Sequence, residues 1–198
     1  MKNIISTTTA LLSIVLLMAY GCGSKTNKTK SSISDIDSVK IVLVSLQDST
    51  EITWKTMIVE DDQKIAYLKR LIDEVSYTKV YDKKAYDSLS LAIENLKKIR
   101  YDQTSMANSE KIDEYDVATA AVVNNVITFA QNHPNFDDYP LMDELIGDIL
   151  AFDNRVIYRR VDYDNIAGEY NKFIQKNHDL IERSGNVASA KPLFQLSE

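Results

Sequence analysis

The chain has 198 residues, 44% of them apolar and 26% charged, enough for one domain with a real core and ordinary for a globular protein. Five glycines and three prolines are too few for a β-sandwich with its many tight turns and favour long helices, and a single cysteine excludes an internal disulfide. The net charge of −6 speaks against nucleic acid as a partner.

In chain order, Lys2 gives a short positive start, and Ile4 to Tyr20 carries no charge, with a strongly apolar centre, ALLSIVLLMA (10–19). Ala19 and Gly21 close the run with small residues. This is the layout of a secretory signal over residues 1–21, short for a membrane-spanning helix, with an uncleaved N-terminal anchor as the alternative. Ala19-Tyr20-Gly21-Cys22 resembles a bacterial lipobox, in the loose form found among Bacteroidetes-type lipoproteins. The resemblance implies cleavage before Cys22 and fatty acylation, palmitate or similar, at that residue. A single acyl chain holds a protein only marginally, at ~0.8 kcal/mol per buried CH2, whereas several anchor it. An acylated Cys22 is no nucleophile.

Residues 22–34 are polar, small and aperiodic and read as a flexible tether, reaching ~40 Å if fully extended. Removing Lys2 with the signal takes the net charge from −6 to −7, and setting aside Lys25, Lys28 and Lys30 leaves −10 for residues 35–198. Two readings of those lysines stay open: contact with anionic lipid headgroups at ~1 kcal/mol each, or a solvated linker. The acidic body itself is kept off an anionic bilayer.

Four helices follow. The first is expected over about 35–77; VKIVLVSL (39–46) alone passes for a strand, but Trp54, Ile58, Ile65, Leu68, Ile72 and Val75 recur at helical spacing. The second, about 83–102, carries Tyr86, Leu89, Ile93 and Leu96 on one side. The third, about 109–132, carries Ile112, Tyr115, Val122, Val126 and Phe129, with a gap at Thr119. NHPNFDDYP (132–140) is a turn cluster. The fourth, about 141–178, has the clearest stripe: Leu141, Leu145, Ile149, Phe152, Val156, Tyr163, Tyr170 and Phe173. Narrow apolar faces on long charged helices satisfy one another in a long antiparallel four-helix bundle, an all-α fold over 35–198 shaped as a rod. The tail from about 180 is expected to be irregular, with Leu193 and Phe194 tucked back on the bundle.

DNRVIYRRVDYDNIAGEYN (153–171) resembles the signature of LemA family proteins: a Glu-Asn-Arg-Ile run, then Tyr-Asn, a spacer and a second Tyr-Asn. Asn154, Arg155, Arg160, Tyr163-Asp164 and Tyr170-Asn171 fall on it without a gap, with Asp153 in place of Glu and Val156 in place of Ile. Tyr139-Pro140-Leu141, Trp54 and Lys191-Pro192-Leu193-Phe194 resemble further family positions. Leu68, Lys69 and Arg70 stand where the family has Ile-Pro-Asn, so the first helix should run on unbroken. The resemblance implies an envelope-tethered helical bundle; the family has no settled biochemical activity.

For chemistry the sequence offers little. His133 and His178 lack zinc-ligand spacing and read as surface residues; no Glu has His three residues on, and GxSxG, P-loop and GxGxxG motifs are absent. No metal, no cofactor, no catalytic residue and no enzymatic activity are expected. Asp153, Asn154 and Arg155, with Tyr163, Tyr170 and Asn171, are the candidate site on the last helix. They form either a clamp fixing helix register, with Arg155 paired to an acid on a neighbouring helix, or a binding patch. Asp37-Ser38-Val39, Asp48-Ser49-Thr50 and Asp87-Ser88-Leu89 resemble the short O-glycosylation motif of Bacteroidetes envelope proteins. The expected function is protein–protein contact by a lipid-anchored scaffold, adaptor or sensor on the outer membrane's periplasmic face, with an envelope protein as partner. The alternative is a small-ligand module with a pocket between helices near Arg155.

Overall fold

A computed structural model describes residues 28–194, with side chains from 35 onward; Cys22 and the expected signal lie outside the described residues. The described chain is all-helical: α1 (Lys28–Tyr77), α2 (Lys83–Ile99), α3 (Ser109–Gln131), α4 (Pro140–Lys176) and short α5 (His178–Arg183). Single 3-10 turns at Ser105–Ala107 and Phe136–Asp138 precede α3 and α4.

α1 is 50 residues long, about 75 Å at 1.5 Å per residue. It contains neither glycine nor proline, and passes through Leu68, Lys69 and Arg70 without a break. The β-branched stretch 39–46 is helical because Val39 and Leu43, one turn apart, bury together in the same core cluster. Hydroxyls that would compete with the backbone are satisfied inside the helix: Thr50 Oγ1 donates to the Leu46 carbonyl at 2.8 Å and Thr53 Oγ1 to that of Ser49 at 2.7 Å. α1 begins at Lys28 rather than Asp35, so residues 28–34 of the expected tether are helical.

The other boundaries follow from caps. Asp82 accepts from the Lys84 and Ala85 amides at 2.9 and 3.1 Å to start α2, and Asn108 accepts from Glu110 at 3.0 Å to start α3. α2 stops at Ile99, short of the expected 102, because Arg100 turns extended (ψ 133°). Pro140 opens α4, where its missing amide costs nothing. α4 ends at Lys176 and α5 follows, so the expected irregular tail is helical to Arg183. Gly185, at φ +76°, then lets the chain leave the helix.

α1 and α4 make the most extensive contact. Their pairs step down α1 as they step up α4: Lys64 with Asp153, Glu60 with Arg159, Trp54 with Tyr163, and Leu43 with Tyr170. The main core joins α1 from Trp54 to Val75 with α2, α3 and α4 around Leu68, Leu71, Ile72, Val126 and Ile149. A second cluster, Val39, Leu43, Tyr170 and Ile181, draws only on α1, α4 and α5. The first part of α1 is therefore an overhang beyond α2 and α3.

Candidate functional site

Near the middle of α1 three helices, the α2–α3 connection and the tail meet in one aromatic joint. Trp54 packs edge-on to Tyr163 at 5.4 Å and parallel to Phe194 at 6.4 Å, and Phe194 lies edge-on to Tyr101 and Tyr163, each at 5.7 Å. Tyr115 closes on Tyr101 at 5.6 Å. Such edge-on pairs align ring edges with ring faces and add to the area they bury. The Arg160 guanidinium lies 5.2 Å from the Phe194 ring and 5.7 Å from that of Tyr101. It also donates twice to Asp116, at 2.5 and 2.7 Å, and to the Tyr101 hydroxyl at 3.0 Å. Burial works against the Arg160 charge, but Asp116 and Tyr101 outweigh it and hold the guanidinium charged above its ordinary range. Burial likewise pushes the Tyr101 hydroxyl up to about 12, although Arg160 pulls the other way.

A second polar group ties α1 to α2, α3 and α4. Asp61, whose side chain is only 7% exposed, accepts from the Tyr115 hydroxyl and from Arg100 at 2.9 Å, with Lys64 at 3.3 Å. Lys64, 2% exposed, also reaches Asp153 at 3.3 Å, and Arg100 also donates to Asp62 at 2.9 Å. Burial, then the Asp61 charge, drives the Tyr115 hydroxyl far above its usual range. On the outer edge Arg159 grips Glu60 through two bonds of 2.7 and 3.0 Å.

The six residues singled out on α4 separate. Asp153 joins the ionic group through Lys64, whereas Asn154 and Arg155 are exposed. Arg155 lies over the Phe152 ring at 4.2 Å; the α4 arginines that hold acids on other helices are Arg159 and Arg160. Tyr163 is fully buried and accepts from Gln103 at 3.3 Å, while Tyr170 sits in the second cluster. Asn171 turns to the tail: its amide nitrogen donates to the Lys191 carbonyl at 2.8 Å and its oxygen accepts from the Lys191 amide at 2.7 Å. Asp164 accepts from the Phe194 amide at 2.8 Å. In each Tyr-Asp/Asn pair the tyrosine faces the core and the next residue holds tail backbone. Leu193 and Phe194 thus tuck back on the bundle as expected.

Other residues were misplaced by sequence. His133 is buried, not on the surface: its Nδ1 accepts from the Asn135 amide at 3.2 Å, which leaves Nε2 to donate to Thr78 Oγ1 at 2.9 Å. Thr119, read as a gap in the α3 stripe, is also buried. Arg160 had a readable signal, being four residues past Val156 and three before Tyr163, a charge on the apolar stripe itself. Asp61 has the same signal, four residues from both Met57 and Ile65.

Two grooves flank the tail. One of about 580 Å³ lies between Gly168, Asn171 and Ile174 of α4, Ile181 of α5 and tail residues Val187 and Leu193. The other, about 400 Å³, lies between Gln103, Thr104 and Ala107 and tail residues Ser189 to Pro192. Arg155 lines neither. Among the described residues no group of three or more His, Asp or Glu side chains is placed to hold a metal ion, and no helix is long and apolar enough to cross a membrane. No known family model, curated protein or solved structure matches this chain.

The ties between helices make stability pH-dependent. The Arg159 bonds hold Glu60 below its ordinary 4.5 despite burial. Burial pushes Asp62 up, but Arg100 and Lys97 outweigh it and leave it below its ordinary 3.8. A lowered folded value contributes stability that is present above the ordinary value and lost as pH falls through the folded one. The urea midpoint should therefore drop between about pH 5 and pH 3, and less steeply in Arg159→Gln, where Glu60 titrates nearer its ordinary range.

Proposed function

We propose that the chain is a lipid-anchored protein of the bacterial envelope, a long antiparallel four-helix bundle of the LemA type that acts by contact with other proteins as a scaffold, adaptor or sensor. Cys22 carries the lipid, and the short segment from Cys22 to the start of α1 sets the rod on the outer membrane's periplasmic face. The α1–α4 pairs and the roles of Tyr163-Asp164 and Tyr170-Asn171 support the family reading, since each signature pair has a defined structural task.

The observation that carries the contact reading is the α1 overhang. Ile41 is 71% exposed, and Val42 and Val44 beside it are 42% and 45% exposed, on a part of the helix that α2 and α3 do not cover. Apolar side chains grouped on a protruding helix mark an interaction surface more than a monomer's ordinary exterior does.

A photo-crosslinking residue at position 41 or 44 in intact cells should capture specific envelope proteins, while the same residue at exposed Lys98 of α2 should not. Capture no greater than from an inert protein on the same anchor would refute the contact role.

A further inference from the structure

The tail is held as a bound peptide is held. Residues 186–194 are non-helical and leave α5 through Gly185, whose φ of +76° is the left-handed turn that ends the helix. Val187 is 95% exposed, and Ser189 and Ala190 are exposed as well. Its hydrogen bonds to α4 fall at two points, the two-way Asn171–Lys191 bond and the Phe194 amide on Asp164, while Leu193 packs on the main core and Ala188 on the second cluster. Both points read backbone groups that any residue carries, apart from proline's lacking amide. The most deeply buried tail side chain is Phe194, lodged among Trp54, Tyr101 and Tyr163 beneath the Arg160 guanidinium. Pro192 restricts Lys191 to extended backbone, so the segment reaches the clasp already shaped for it. The grooves of about 580 and 400 Å³ leave unfilled space on both flanks of the strand.

We infer that the trough between α4, α5 and the α2–α3 connection is a peptide-binding site, occupied in this chain by its own tail. In exchange for the tail it takes an extended segment of another protein with an aromatic side chain three residues after the position clasped by Asn171. The Asn171 amide supplies the two-point backbone contact, the Trp54–Tyr101–Tyr163 socket with Arg160 selects the aromatic ring, and the tail competes from a high local concentration. This assignment rests on the reading of the chain as a contact protein, and the two fail separately: a trough that binds no peptide leaves capture from the α1 overhang intact.

The test uses a fluorescently labelled synthetic peptide of residues 186–194 and the full chain. With its own ring removed, Phe194→Ala should bind the peptide saturably by anisotropy, about ten-fold or more tighter than the unaltered chain does. A peptide with alanine for phenylalanine, or Asn171→Ala added to the Phe194→Ala chain, should bind about ten-fold or more weakly. No saturable binding to a folded Phe194→Ala chain, equal binding to the unaltered chain, or indifference to Asn171 would each overturn the proposal. Should Phe194→Ala fail to fold, hydrogen exchange on the unaltered chain decides. Lys191 and Phe194 amides exchanging about 100-fold faster than that of Ile72 would support a releasable tail, and equal rates would overturn it.

Discussion

Asp61→Ala is expected to destabilise the protein by about 3–5 kcal/mol, among the largest costs of any single substitution in it. The size follows from what the carboxylate leaves behind. Lys64 is 2% exposed and Arg100 17%, so two cations lose a partner where water cannot replace it. Lys64 keeps a bond to Asp153, whose side chain is 45% exposed, and Arg100 keeps one to Asp62 at 41%. Tyr115 loses its acceptor altogether. The neighbouring Asp62→Ala removes a half-exposed acid and should cost about 1 kcal/mol or less. Urea unfolding of the two variants measures the difference, and equal costs would contradict a buried ionic tie at Asp61.

Tyr163→Ala should cost about 3–5 kcal/mol through the cavity it opens at the joint, whereas Tyr163→Phe should cost under about 1 kcal/mol. The ring touches both Trp54 and Phe194, so its loss takes a wall from the socket as well as buried area. The hydroxyl makes one bond of 3.3 Å to Gln103, a group that can turn to water if released. Trp54 is the only tryptophan, and its emission should shift to the red in Tyr163→Ala and stay in place in Tyr163→Phe. An alanine variant as stable as the phenylalanine one would mean that the joint is not tightly packed.

Much of this architecture could be read from residue spacing, because helices declare their buried face every three or four residues. The absence of proline at 68–70 was enough to foresee one continuous α1, and Pro140 marked the start of α4. Tertiary effects were less visible. Arg155 belongs to the motif, yet its position one step off the stripe leaves it outside, and Arg160 and Asp61, on the stripe, carry buried charge together with Lys64. His133 faces inward because it bridges the Thr78 end of α1 and the turn before α4, two segments far apart in sequence. The clasp on the tail was likewise hidden: the Asn171 side chain holds the backbone N–H and carbonyl of Lys191, which residue identity at 191 does not encode.

The role assigned to the α1 overhang presupposes that Cys22 places the chain at a membrane. Metabolic labelling with a radioactive fatty acid, followed by membrane fractionation of the unaltered chain and of Cys22→Ala, measures this directly. The unaltered chain should carry the label and sediment with membranes, and Cys22→Ala should lose the label and leave its membrane. An unaltered chain without label, fractionating as Cys22→Ala does, would contradict the anchor and with it the proposed place of action.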